Sequence, residues 1–194
     1  MSKRLFVAIN FDPATRLAIA RLMVGLPNHP GLSKTKVDNL HLTLLFLGDT
    51  EEDLIPQISQ QLDEICQNIR PLSLKFGKLG GFPDLNHPQV VWVGLEGEGL
   101  VPLRQTITDK LLPLVPTADA KPFHPHLTIA RTNASSHPEL AASPLAQTNQ
   151  QPVGLSPVLI PQIDLLESIL ASGGSIHRRV SAHSLHHPGP STHP

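Results

Sequence analysis

A four-residue pattern occurs twice in this chain of 194 residues, as His41-Leu42-Thr43-Leu44 and, from residue 41 to 126, again as His126-Leu127-Thr128-Ile129. Successive side chains of a β-strand point to opposite faces. Each copy therefore reads as a strand with leucine or isoleucine at its back and an imidazole-hydroxyl pair at its front. The spacing is close to half of the chain without its C-terminal tail, which predicts an internal duplication. Two such strands brought side by side would set two histidines and two threonines around one cavity.

The segments around the two copies alternate between helical and strand patterns. Residues 5–10 read as a first strand, closed by Asp12 as an N-cap with Pro13 at the first helical position. Leu17, Arg21 and Val24 follow at helical spacing, and Gly25 and Pro27 end that helix. Leu40 to Leu47 reads as a strand stopped by Gly48-Asp49. Leu54, Ile58, Leu62, Ile65 and Ile69 mark one buried face of a second helix, with Pro56 demanding a start near Asp53. Leu72–Leu79 and Val90–Leu95 form two strands joined by a loop from Gly80-Gly81 to Pro88. A third helix carries Leu100, Leu103, Ile107, Leu111 and Leu114, and His126–Arg131 is the next strand. Residues 132–157 are polar and unpatterned, a long surface loop. Ile163–Leu170 and Ser175–Leu185 pair around Gly173-Gly174. Several strands are joined by hairpin-length loops, so the expected fold class is α+β rather than a doubly wound parallel sheet. The expected organisation is a single domain over residues 1–185, with 186–194 as a disordered tail.

Composition narrows the function. The one cysteine, Cys66, allows neither an internal disulfide nor a thiolate metal cluster, which points to a reducing cytoplasm. Cys66 falls beside the apolar face of its helix and is expected to pack as a small hydrophobe. Fifteen basic against sixteen acidic side chains give a formal charge of −1, so the broad positive field of a non-specific nucleic-acid coat is absent. Any RNA or nucleotide must be gripped at a small local site. No secretory signal pattern or membrane-length apolar run is expected. The glycines from Gly94 to Gly99 fit no phosphate-loop pattern. Of the eleven histidines, His183, His186, His187 and His193 fall in or near the tail, where no rigid element is expected to present them.

The doubled pattern suits in-line displacement at phosphorus. A neutral imidazole takes a proton from attacking water while a protonated one gives a proton to the departing oxygen. Histidine serves in either state because its ordinary pKa is about 6.5. Threonine hydroxyls donate to the non-bridging oxygens. Nothing in this scheme requires a metal or other cofactor. From the residues alone the acid and base roles are interchangeable.

The stretches Asn39-Leu40-His41-Leu42-Thr43-Leu44-Leu45-Phe46-Leu47-Gly48-Asp49 and Pro125-His126-Leu127-Thr128-Ile129-Ala130-Arg131 resemble the paired signatures of the two-histidine (2H) phosphoesterase superfamily. Within it, the chain resembles the RNA 2′,3′-cyclic phosphodiesterases, also called 2′-5′ RNA ligases. The opening Arg4-Leu5-Phe6-Val7-Ala8-Ile9, Gly80-Gly81-Phe82-Pro83 and Val90–Leu95 add to the likeness. It implies a bilobal, pseudo-two-fold α+β fold whose duplicated antiparallel sheets line a central cleft with helices packed outside. It implies metal-independent hydrolysis of a terminal 2′,3′-cyclic phosphate to a 2′-phosphate, with reversible 2′-5′ ligation as an associated reaction. His41 matches the proton donor and His126 the proton acceptor; Thr43 and Thr128 match the phosphate-binding hydroxyls. Phe46 and Arg131, each five residues after its histidine, match groups that stack on the terminal base and contact base or phosphate. For Phe46 a place in the core, and for Arg131 a solvated strand end, are the competing readings. His177 stands where relatives often carry tyrosine. A cyclic phosphodiesterase on small nucleotides or ADP-ribose cyclic phosphate, and a non-catalytic RNA-end binding module, remain as alternatives. The expected partners are RNA ends or nucleotides carrying the cyclic phosphate. No membrane and no obligatory protein partner are expected, and the chain is expected to act as a monomer.

Overall fold

The computed structural model describes residues 1–28, 31–85, 87–119, 121–132, 152–172 and 174–186. Most of the long loop expected over 132–157, Gly173 of the final turn, and the tail from His187 onward lie outside them. The strands are β1 (Ser2–Asn10), β2 (Leu32–Lys34), β3 (His41–Glu51), β4 (Leu72–Phe82), β5 (Val90–Glu96), β6 (His126–Thr132), β7 (Val158–Ile160), β8 (Gln162–Ala171) and β9 (Gly174–Ser184). The helices are α1 (Pro13–Val24), α2 (Ile55–Cys66) and α3 (Leu100–Leu111).

Local chemistry accounts for most boundaries. The Asp12 carboxylate accepts the Thr15 backbone N–H at 3.0 Å, which satisfies one open donor of the first turn of α1. Gly25 caps its other end. The buried stripe of α1 is Ile19 and Met23, however, while Leu17 and Val24 are 52% and 77% exposed. The expected face therefore points to solvent. Both sides of this helix carry apolar residues, so spacing alone does not choose between them. A 3₁₀ turn over Glu52–Leu54 precedes α2 and leaves Pro56 in the first helical turn, where its missing N–H costs nothing. Ile58, Leu62, Ile65 and Cys66 bury the expected face. Burial also pushes the Cys66 thiol up to about 12, with the Asp63 charge adding to the effect.

Two glycine signals proved not to be terminators. Gly48 takes φ +74° inside β3, which runs on to Glu51. Gly80 and Gly81 lie within β4, which runs on to Phe82. A β-carbon on Gly80 would clash with the Trp92 ring, and one on Gly81 would lie 2.5 Å from the Asp84 carbonyl oxygen. Close approach, not chain reversal, is what these two glycines serve. Gly81→Ala must displace backbone and should destabilise the fold by about 1–3 kcal/mol, read as a lowered denaturation midpoint.

The strands form one antiparallel sheet in the order β7-β4-β5-β6-β3-β1-β8-β9, with β2 also paired to β6. The units β1-α1-β3 and β5-α3-β6 repeat one another, and the sheet halves meet where β3 faces β6. At that seam Leu42 pairs with Leu127, the second residue of each copy of the pattern. Leu42, Leu44, Leu127 and Ile129 enter one core with Ile19, Ile58, Leu62, Leu103 and Ile107 from α1, α2 and α3. The helices therefore cover the back of the sheet and leave the histidine face open.

Both central strands carry a β-bulge at the same place. On β3 the register jumps so that Val7 pairs with Leu45 and Ala8 with Thr43, leaving Leu44 extra. On β6, Val91 pairs with Ala130 and Trp92 with Thr128, leaving Ile129 extra. In each strand two consecutive residues are buried, Leu44-Leu45 and Ile129-Ala130, and the next side chain turns to the front.

Candidate active site

The Leu42–Leu127 pairing dictates the arrangement of the four polar side chains. In antiparallel register it sets His41 beside Thr128 and Thr43 beside His126, all on the face opposite the core. The two histidines then lie on a diagonal, with α-carbons about 7–8 Å apart.

The rings are oriented alike. His41 Nδ1 lies 2.7 Å from the Asn39 carbonyl oxygen, and His126 Nδ1 lies 2.6 Å from that of His124. A carbonyl only accepts, so each Nδ1 carries the proton and each neutral ring keeps its lone pair on Nε2. His41 Nε2 lies 3.0 Å from the Thr43 hydroxyl, which donates to the neutral ring. Each histidine also rests on aromatic side chains. His41 packs on Phe6 at 5.1 Å and on His177 at 5.0 Å between ring centroids. His126 stands edge-on to Phe82 at 5.1 Å, with Trp92 at 6.1 Å.

This setting disfavours charge on both rings. Burial holds His41 down to about 4, and the positive charges of His177, His126 and Arg131 act in the same direction against the Asn39 carbonyl. Burial also lowers His126, again with Arg131 adding to the effect, here with His124 and against the His124 carbonyl. The Arg131 guanidinium is thus close enough to act on both imidazoles. An anion between the rings would reverse the sign of this effect and favour the imidazolium.

The remaining expected residues fall around the pair. Phe46 is 51% exposed and lies 5.9 Å from Phe6 between ring centroids, so it is a surface of the cleft and not part of the core. Together with Thr43, His126, Phe82, Arg104 and Lys121 it lines a cavity of about 220 Å³. Thr128 follows His126 on the front of β6. Other residues at the site carried no signal in the sequence. The orienting carbonyls of Asn39 and His124 are backbone atoms. Phe6 sits in a strand whose two faces are both apolar, which hides the one that fronts the site.

His183 departs from expectation. It lies on β9, only 2% exposed, with Nδ1 2.7 Å from Asp63 Oδ1 and Nε2 2.8 Å from the Ser181 hydroxyl. It fastens β9 to α2: β9 ends at Ser184, within the strand expected over Ser175–Leu185, and that strand presents His183 rigidly where no rigid element was expected to. The backbone N–H of His186 donates to the Cys66 carbonyl. His187 and His193 lie outside the described residues.

A curled antiparallel sheet backed by helices, with a histidine and a threonine projecting from each of two central strands, defines a duplicated two-histidine fold. It is shared with Thermus thermophilus TT0787 at TM-score 0.78 and 25% identity, covering 94% of this chain and 97% of that one. It is shared with E. coli LigT complexed with 3′-AMP at TM-score 0.77 and 23% identity, covering 95% and 99%. The chain belongs to the 2′-5′ RNA ligase superfamily, whose family model matches residues 12–160. A relative from Archaeoglobus fulgidus named RNA 2′,3′-cyclic phosphodiesterase is 35% identical over 139 residues, 71% of this chain and 77% of that protein. One of the same name from Methanocaldococcus jannaschii is 32% identical over 66% of this chain and 70% of its own length. Among the described residues no helix is long and apolar enough to cross a membrane.

Proposed function

We propose that this chain hydrolyses the 2′,3′-cyclic phosphate at RNA ends, with His126 as the base and His41 as the acid. The observation that carries the reading is the Leu42–Leu127 pairing, which brings the two histidine strands into diagonal register across one open face. The naming of the relatives supports the substrate class. His126 Nε2 takes a proton from water as its oxygen bonds to phosphorus. The bond from phosphorus to O3′ breaks, and protonated His41 Nε2 delivers its proton to O3′, leaving a 2′-phosphate. Thr43, Thr128 and Arg131 donate to the oxygens on which charge accumulates, and Phe46 offers its exposed ring to the terminal base. With a 5′-hydroxyl in place of water the same step yields a 2′-5′ phosphodiester.

The assay is hydrolysis of a labelled oligonucleotide ending in a 2′,3′-cyclic phosphate, with the product resolved as 2′- or 3′-phosphate. A 2′-phosphate is expected, and a 3′-phosphate would reverse the proposed leaving group. The pH dependence follows from the two lowered imidazoles. Turnover requires one ring charged and one neutral, so kcat/KM for the free protein should be bell-shaped and peak below pH 6.5. Bound phosphate stabilises imidazolium, so the alkaline limb of kcat should lie at higher pH than that of kcat/KM. A flat profile from pH 5 to 9 with chemistry rate-limiting would contradict paired proton transfer.

A further inference from the structure

The two halves of the sheet resemble each other in topology but not in what fills their front faces. Beside His126, Phe82 and Trp92 occupy the front, and Gly80 makes room for the indole. Beside His41, Phe6 and His177 back the ring, and beyond them the ends of β1, β7, β8 and β9 and the start of α1 leave a hollow lined by both polar and apolar side chains. It forms a cavity of about 550 Å³ that reaches His177, the ring against His41. Asn10, in the same cavity, is the direct cross-strand partner of His41.

The floor of this cavity is organised by one carboxylate. Asp164 is 0% exposed and accepts from Asn10 Nδ2 at 2.7 Å and from Gln162 Nε2 at 2.9 Å. With one N–H of each amide held by Asp164, each keeps an oxygen acceptor and a second N–H donor in a fixed orientation. Adjacent donor and acceptor on a rigid amide is the pattern that reads a nucleobase edge. The charge balance does not suit an anion. Asp12, Asp38 and Asp164 line the cavity against Arg16 and Arg179, and Arg16 lies 3.7 Å from Asp38. Phe11 and Leu166 add apolar wall, and the volume is that of a small-molecule pocket. A flat, neutral, hydrogen-bonding group fits these terms.

We propose that this cavity seats the base of the penultimate nucleotide, held by the Asn10 and Gln162 amides, so that the protein prefers RNA ends of at least two nucleotides. The proposal rests on the phosphodiesterase reading, with the cyclic phosphate between the histidines and the terminal base at Phe46. The cavity then takes the next base along the strand. It gives the chain a reason to favour RNA over the mononucleotides and ADP-ribose derivatives that a 2H site alone would admit.

The test compares three substrates on the full chain: a nucleoside 2′,3′-cyclic phosphate, a dinucleotide ending in the same group, and that dinucleotide with an abasic penultimate position. The natural dinucleotide should show a KM about tenfold below the other two at similar kcat, and Gln162→Met should remove that advantage while leaving the mononucleotide unchanged. Because Gln162→Met leaves Asp164 one amide short and can loosen the fold, the wild-type protein supplies an independent readout. The side-chain amide NMR signals of Asn10 and Gln162 should shift with a dinucleotide 2′-phosphate and stay in place with its abasic counterpart. Equal KM for all three substrates, equal shifts with the abasic ligand, or a Gln162→Met variant that keeps both the mononucleotide rate and the dinucleotide advantage would each overturn the base seat. Failure to hydrolyse any of the three would instead overturn the phosphodiesterase reading beneath it.

Discussion

His41→Ala and His126→Ala should each lower kcat on a 2′,3′-cyclic-phosphate oligonucleotide by about 10²–10⁴-fold, the usual worth of a positioned proton-transfer group. Neither loss should come from unfolding. Each ring projects from the open face of the sheet, and its Nδ1 bond runs to a carbonyl two residues earlier on the same chain. Circular dichroism and denaturation midpoints should therefore stay close to wild type. The double variant should be little worse than the weaker single one, because acid and base act in one step and their effects do not add. Full activity in both single variants would remove the mechanism. Loss in only one would reassign the other imidazole to binding.

The second large effect lies behind the same strands and is expected in stability instead of chemistry. Leu42 and Leu127 are both 0% exposed and face each other where the halves of the sheet join. Leu42→Ala should cost about 2–5 kcal/mol, the range for truncating a fully buried leucine in a core that closes only partly over the gap. Leu127→Ala should behave similarly, given its matching position. Urea denaturation provides the measurement. A cost below about 1 kcal/mol for either would mean that the seam is not packed as the structure has it. Below their denaturation midpoints, both variants should keep the two-limbed pH profile, since Asn39 and His124 still orient the rings.

The two classes of substitution separate what the tetrapeptide does on its two faces. The leucines hold the strands in register, and register is what sets the imidazoles on a diagonal. Slipping one strand by a single residue would send both polar side chains into the core. The stability of the seam and the geometry of the chemistry are therefore one property of the sheet.

Much of this was legible in the residues themselves. Alternation within His41–Leu44 and His126–Ile129 assigned a core face and a polar face to each strand, and the core has Leu42, Leu44, Leu127 and Ile129 where alternation placed them. The Asp12-Pro13 start of α1 and the apolar stripe of α2 were readable for the same reason: capping and periodicity are local. The buried stripe of α1 was not, since both sides of that helix carry apolar residues and only the sheet selects one. The extents of β3 and β4 were missed because a glycine looks the same whether it ends a strand, bulges it or yields to a neighbouring ring.

Phe46 and Arg131 show the limit most clearly. Each stands five residues after its histidine, an odd interval that strict alternation would turn to the back of the sheet. The bulges at Leu44 and Ile129 add one residue to each strand and bring both side chains round to the front. The sequence by itself determined the chemistry on offer: two imidazoles, two hydroxyls and the apolar backs that anchor them. Only the tertiary structure decided which side chains share the front face, which carbonyls orient the rings, and where the cavities open beside them. The physical reason is that alternation is a property of one strand. Bulges, register and cavities are set between strands, by contacts such as that of Asn10 with Asp164, 154 residues away.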